Sequence, residues 1–158
     1  MNQTKTVCFT GHRRIPSDDQ VSLIEALERE TERQIQSGAT VFRAGGALGF
    51  DTLAAITVLK LKRKYPHIRL ELILPCPSQA DNWAKEERVL YRQILAYADS
   101  HRYVSESYYD GVLQLRNRQL VEGADVCIAY LTRSSGSGSA YTSALAIKSG
   151  LEFVNLGD

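Results

Sequence analysis

The residues of this chain whose types and spacing could do chemistry fall at three glycine-bearing junctions: Thr10-Gly11-His12-Arg13-Arg14, Gly45-Gly46-Ala47-Leu48-Gly49-Phe50-Asp51 and Ser134-Ser135-Gly136-Ser137-Gly138-Ser139. Each follows an apolar run and precedes a helical pattern. Glycine lets backbone come close to a ligand with no Cβ in the way, and the free N–H groups that open a helix favour an anion. Phosphate is the guest that this chemistry suits. Arg13 and Arg14 add two permanent cations whose forked donors match phosphate oxygens, unless they form only a solvated surface pair. Asp51 falls near a helix start, where a carboxylate either complements the helix dipole or serves a ribose hydroxyl or a proton transfer. Gly45-Gly46 taken alone is equally a tight turn.

Other clusters carry less. Lys60, Lys62, Arg63 and Lys64 sit in the last turns of a helical pattern, where cations complement the dipole, so a nucleic-acid patch is the weaker reading. Trp83, Tyr108 and Tyr109 could stack on a base, but aromatic residues serve equally as core or loop anchors. Cys8, Cys76 and Cys127, like His12, His67 and His101, are scattered along the chain; the thiols read as buried or inert, and no metal site is expected.

Strands and helices alternate throughout, which predicts a mainly parallel sheet. Strands are expected at Lys5 to Thr10, Thr40 to Ala44, Arg69 to Leu74, Arg102 to Val104, Asp125 to Leu131 and Glu152 to Leu156. Between them, a helix carries Ile24, Leu27, Thr31 and Ile35 at helical spacing and ends near Gly38. A second runs from Gly49 to Lys64 with Leu53, Ile56, Val58 and Leu61 and is stopped by Pro66. Further helices are expected from Trp83 to Ala98, from Gly111 to Glu122, and after the serine- and glycine-rich loop as far as Ser149. The fold class is therefore α/β, a single Rossmann-like domain over residues 1–158 with helices on both faces of the sheet. In such sheets the three junctions share the carboxyl edge, where ligands collect at the topological switch point.

The chain has 158 residues, 44% of them hydrophobic and 23% charged, the size and composition of one folded domain. A net charge of +1 supplies no global field for nucleic acid, so anion binding must be local. No export signal or membrane span is legible, and a cytoplasmic protein is expected.

In order and spacing, FTGHR, GGALGFDTLAA, LILPCPSQADNW, RNRQLVEGADVCIAYL and GSGSAYTSALA resemble the SMF/DprA–LOG (SLOG) superfamily of Rossmann-like domains and, within it, the YpsA-like branch. The resemblance covers almost the whole chain and implies a nucleotide or nucleotide-derived ligand. It also implies that Arg116, followed by Asn117, matches the arginine with which the LOG enzymes cleave the N-glycosidic bond of nucleoside monophosphates. Those enzymes carry a PGGxGTxxE loop; here Gly138-Ser139 stands for Gly-Thr and Thr142 for the glutamate. A threonine cannot act as a carboxylate base near neutral pH.

The leading expectation is a sensor or regulatory module for a nucleotide-like small molecule, held by Thr10, Gly11, His12, Arg13, Arg14, Gly45, Gly46, Gly49, Asp51, Arg116, Asn117, Ser135, Gly136, Ser137, Gly138, Ser139 and Thr142. The alternative is a hydrolase of a nucleotide N-glycosidic bond in which Asp51 or Glu122 supplies the missing carboxylate and Arg116 stabilises charge. A single-stranded DNA-binding module like DprA would need a basic groove, against which the charge balance argues. No cofactor is expected, and a homo-oligomer is compatible with the sequence.

Overall fold

Parallel strands need crossovers, and the alternation of elements supplies them. The computed structural model describes residues 4–132 and 138–157. Its elements run β1 (Lys5–Gly11), α1 (Gln20–Gln36), β2 (Ala39–Ala44), α2 (Phe50–Lys62), β3 (Arg69–Leu74), α3 (Lys85–Tyr97), β4 (Ser100–Tyr103), α4 (Val112–Val121), β5 (Val126–Tyr130), α5 (Gly138–Lys148) and β6 (Glu152–Asn155). The six strands form one sheet in the order β4-β3-β2-β1-β5-β6, and every pairing is parallel. This is the expected single Rossmann-like α/β domain.

The order of strands decides where the helices go. The first four strands step outward from β1 in one direction, and their connections α1, α2 and α3 cover one face. The chain then returns across the sheet to β5 on the other side of β1, which puts α4 and α5 on the opposite face. Two apolar clusters confirm the division. One joins Val7, Phe9, Phe42, Leu70 and Ile128 to Leu27 of α1, Phe50 and Val58 of α2 and Ile94 of α3. The other joins Cys8, Ile73 and Cys127 to Leu120 and Val121 of α4 and Ala146 of α5. β5 is buried at all five positions, as a strand covered on both faces must be. Among the described residues no helix is long and apolar enough to cross a membrane.

Two expected inward positions are corrected. Ile24 and Ile56 are each 39% exposed, whereas Leu23, Ala54 and Ala55 are buried. Leu23 is one turn from Leu27, so the apolar stripe of α1 passes through Leu23 and leaves its neighbour, turned by about 100° on the helix, at the rim.

Phe9 is the centre of the larger cluster, stacked 6.0 Å from Phe42 and edge-on 6.3 Å from Phe50. Phe9→Ala should lower unfolding free energy in urea by about 3–5 kcal/mol. Ile24→Ala, at the rim, should change it by less than about 1 kcal/mol; equal losses would refute this assignment of the core.

Candidate functional site

β1 and β5 are neighbours whose following segments leave toward opposite faces, so a crevice opens at their carboxyl ends. His12 stitches it together. Its backbone N–H donates to the Tyr130 carbonyl at 3.3 Å, and its own carbonyl accepts the Phe50 N–H, the first of α2, at 3.1 Å. Its Nε2 accepts the Thr132 N–H at 3.0 Å, so a neutral ring carries its proton on Nδ1, which lies 3.4 Å from Ser139 Oγ at the start of α5. The ring also packs edge-on against Tyr130. His12 therefore ties β1, α2, β5 and α5 at one point, with its acceptor nitrogen already engaged.

The turn into α2 demands glycine at position 49 and uses the bare backbone of another at position 45. Gly49 has φ +80°, and a Cβ there would stand 2.2 Å from the Arg13 carbonyl oxygen. At Gly45 a Cβ would stand 2.9 Å from both Arg116 Nη1 and Asp51 Oδ2. The space that a side chain at Gly45 would fill is thus shared by a guanidinium and a carboxylate.

Arg116, on α4, is only 5% exposed. Its Nη1 donates to the Gly45 carbonyl and its Nε to Asn117 Oδ1 at 2.8 Å. Asp51, in the first turn of α2 and 6% exposed, accepts the Ala47 N–H at 3.2 Å. Burial pushes the Asp51 carboxyl up from 3.8 to about 6, against the lowering pull of Arg116, the Ala47 N–H and Arg13. Burial also lowers Arg116, which Asp51 opposes.

These groups face a cleft of about 1390 Å³, into which Thr10, Gly11, His12, Arg13, Arg14, Gly46, Gly49, Asp51, Arg116, Asn117 and Ser139 all look. Gly45 supports Arg116 from behind, Gly138 opens α5, and Thr142 is fully buried within that helix. Ser135, Gly136 and Ser137 lie outside the described residues. Glu122 is not brought to the site. α4 runs antiparallel to the strands, and six residues carry the chain about 9 Å from Arg116 toward the other edge, where exposed Glu122 caps the helix just before Asp125 bonds Thr6 at the start of β1. The far end of the cleft adds Trp83, Glu87, Leu90 and Tyr91. Only Trp83 among them stood out in the sequence; an aromatic residue within an amphipathic helix such as Tyr91 reads as core.

Asp51 carries a pH dependence with a definite sign. Between about pH 4 and 6 the folded chain retains a proton that the unfolded chain has lost, so folding is penalised increasingly as pH rises through that window. Asp51→Asn removes the charge and keeps the shape. The variant should be more stable than the parent at pH 8 by about 1–3 kcal/mol in urea unfolding, with the gain vanishing near pH 4. A gain that does not vary with pH would show that Asp51 is not the group responsible.

Comparisons with known proteins place the chain in a family. The family model described as the YspA SLOG family matches residues 7–151. A UPF0398 protein of Brevibacillus brevis is 34% identical over 127 residues, 78% of this chain and 67% of its own length. One from Halalkalibacterium halodurans is 34% identical over 120 residues, covering 74% and 64% of the two chains. A third, from Levilactobacillus brevis, is 35% identical over 95 residues, 60% and 50%. The chain thus spans between half and two thirds of the length of these relatives. With nearly its whole length matched, the chain belongs to the YpsA family of the SLOG superfamily.

Proposed function

We propose that the cleft binds a nucleotide or nucleotide-derived ligand by its phosphate, and that the protein works as a sensor or regulatory module for it. The observation that carries this reading is the convergence of Arg13, Arg14 and Arg116 on the same cleft as the starts of α2 and α5. Helix N-termini and guanidinium groups are the two standard anion partners, and here they meet at a switch point. Arg13 and Arg14 are exposed and Arg116 is buried. The first two can therefore move onto a phosphate, whereas Arg116 is fixed by Gly45 and Asn117 and supplies a stationary charge.

A second reading is favoured by Asp51. A carboxyl pushed up to about 6 is ionised and still basic near neutral pH, the state that a general base requires. With Thr142 at the position of the LOG glutamate and Glu122 at the other edge, Asp51 is the candidate for base in an N-glycosidic hydrolase, with Arg116 beside it stabilising developing charge.

Ribose 5-phosphate and nucleoside monophosphates should raise the melting temperature, because a ligand that binds only the folded state stabilises it. Arg13→Ala with Arg14→Ala should weaken that binding at least about tenfold in calorimetry, with stability in the absence of ligand unchanged. Undiminished affinity would remove the pair from the site. Chromatography of incubations with nucleoside monophosphates separates the two readings: the module releases no free base, whereas the hydrolase releases base at a rate that Asp51→Asn abolishes while binding persists.

A further inference from the structure

At the end of the cleft away from the switch point Tyr91 lines the wall and Gln79 lies just behind Gly46, polar groups that the phosphate reading leaves unused. Gln79 lies in the turn after β3, where its backbone N–H donates to the Cys76 carbonyl at 3.3 Å. Both its carboxamide atoms, Nε2 and Oε1, are buried and lack a hydrogen-bond partner among the described residues, and so does the buried hydroxyl of Tyr91 on α3. Gln79 Oε1 and the Tyr91 ring each lie 3.5 Å from the point where a Cβ of Gly46 would stand, so they meet at the glycine turn of the cleft. Burial pushes the Tyr91 phenol up to about 12, so it keeps its proton and remains a donor. Trp83 meets Tyr91 edge-on at 5.3 Å, and both rings line the cleft.

Three buried polar atoms without partners are unfavourable in a folded protein, and a native site of this kind calls for an explanation. A carboxamide offers one acceptor and one donor side by side in a plane. Its complement is a planar group that presents a donor next to an acceptor, the arrangement on the hydrogen-bonding edges of nucleobases. Gln79 is not itself on the cleft lining, and turning its amide past Gly46 into the cleft breaks no hydrogen bond made among the described residues. Trp83 supplies a flat apolar surface for the ring that carries such an edge. Distance fits as well: β3 lies two strands from β1, about 10 Å, which is the scale of a mononucleotide from phosphate to base.

We propose that the Gln79, Trp83 and Tyr91 end of the cleft is a nucleobase subsite, with the base stacked on Trp83 and its polar edge read by the Gln79 carboxamide and the Tyr91 hydroxyl. This deepens the nucleotide reading and rests on it. The subsite predicts selectivity by base, whereas the arginine end of the cleft predicts only affinity for phosphate.

Trp83 is the sole tryptophan of the chain, so its fluorescence reports the subsite directly. The experiment titrates AMP, GMP, CMP, UMP, the matching nucleosides and ribose 5-phosphate, following fluorescence and calorimetry together. At least one monophosphate should quench Trp83 and bind at least about tenfold more tightly than ribose 5-phosphate, which should leave the fluorescence unchanged. Gln79→Leu and, separately, Tyr91→Phe should reduce that advantage at least about fivefold without altering ribose 5-phosphate affinity. Both variants should also melt at or above the parental temperature without ligand, since each deletes a buried unsatisfied group; a residue with only a structural role would lower it. If ribose 5-phosphate binds and no base adds affinity, or if both variants retain the preference, the subsite is refuted while the phosphate reading stands. If nucleosides bind as tightly as their monophosphates, the phosphate reading falls and the subsite stands. If none of these compounds binds, both fall.

Discussion

Backbone against backbone, with no side chain between, is the contact on which the site depends. The turn after β1 rests on the start of α2 so closely that a Cβ on Gly49 would overlap the Arg13 carbonyl. Only at this separation can the Phe50 N–H reach the His12 carbonyl at 3.1 Å. His12 then holds Thr132 through its ring, which fastens the first residues after β5 to the turn after β1. Moving α2 outward by the width of a methyl group would break this chain at its first link and carry Asp51 away from Arg116. The glycine is thus a constraint on the position of charge, and the turn it makes is secondary.

The topology explains how a residue from the far face enters the site. The connection from edge strand β4 to β5 must cross β3, β2 and β1 before it can pair, so α4 passes behind the middle of the sheet. Its Arg116 reaches past the end of β2 to the Gly45 carbonyl, where Asp51 arrives from α2 on the opposite face. Neither face alone could assemble the pair. A shorter α4 or a bulkier residue at position 45 would leave a buried guanidinium without its acceptor, a strongly unfavourable state.

Much of this was legible in advance because the fold repeats one unit and each unit announces itself. β3 is stopped by Pro75, and its limits follow directly from the sequence; β5 could be read as doubly covered from its unbroken apolar run. That the first two junctions and the start of α5 share one edge followed from parallel strands alone. Helix faces were harder. In α1 both Leu23 and Ile24 fit a helical period with Leu27, and only packing against the sheet chooses between them. Glu122 was a candidate only as a spare carboxylate, because the sequence does not say which way α4 points along the sheet. Gln79 and Tyr91 could not be singled out at all. A glutamine in a proline-flanked turn has no pattern, and its interest arises only from being buried without a partner, which is a property of three dimensions.

The two ends of the sheet treat their carboxylates in opposite ways. At the amino ends, Asp125 accepts the Thr6 N–H at 2.8 Å, and Asp99 accepts the Leu70 N–H at 2.8 Å beside Lys62. Burial acts to raise the Asp99 carboxyl, but the bonds from Lys62 and Leu70 outweigh it and the net shift is downward. There a carboxylate steadies the fold. At the carboxyl ends, Asp51 has one backbone donor, its neighbouring cation is directed at a carbonyl, and burial wins. The unbonded Gln79 amide and Tyr91 hydroxyl lie along the same edge. Buried polar atoms without a partner among the described residues also occur elsewhere, at Thr31, Gln34 and Thr40, but only at the carboxyl edge do they adjoin a buried carboxyl held above its ordinary range and a cleft. A ligand with an anion at one end and a hydrogen-bonding edge at the other would offset them together, the anion against Arg13, Arg14 and Arg116 and the edge against the amide and the phenol.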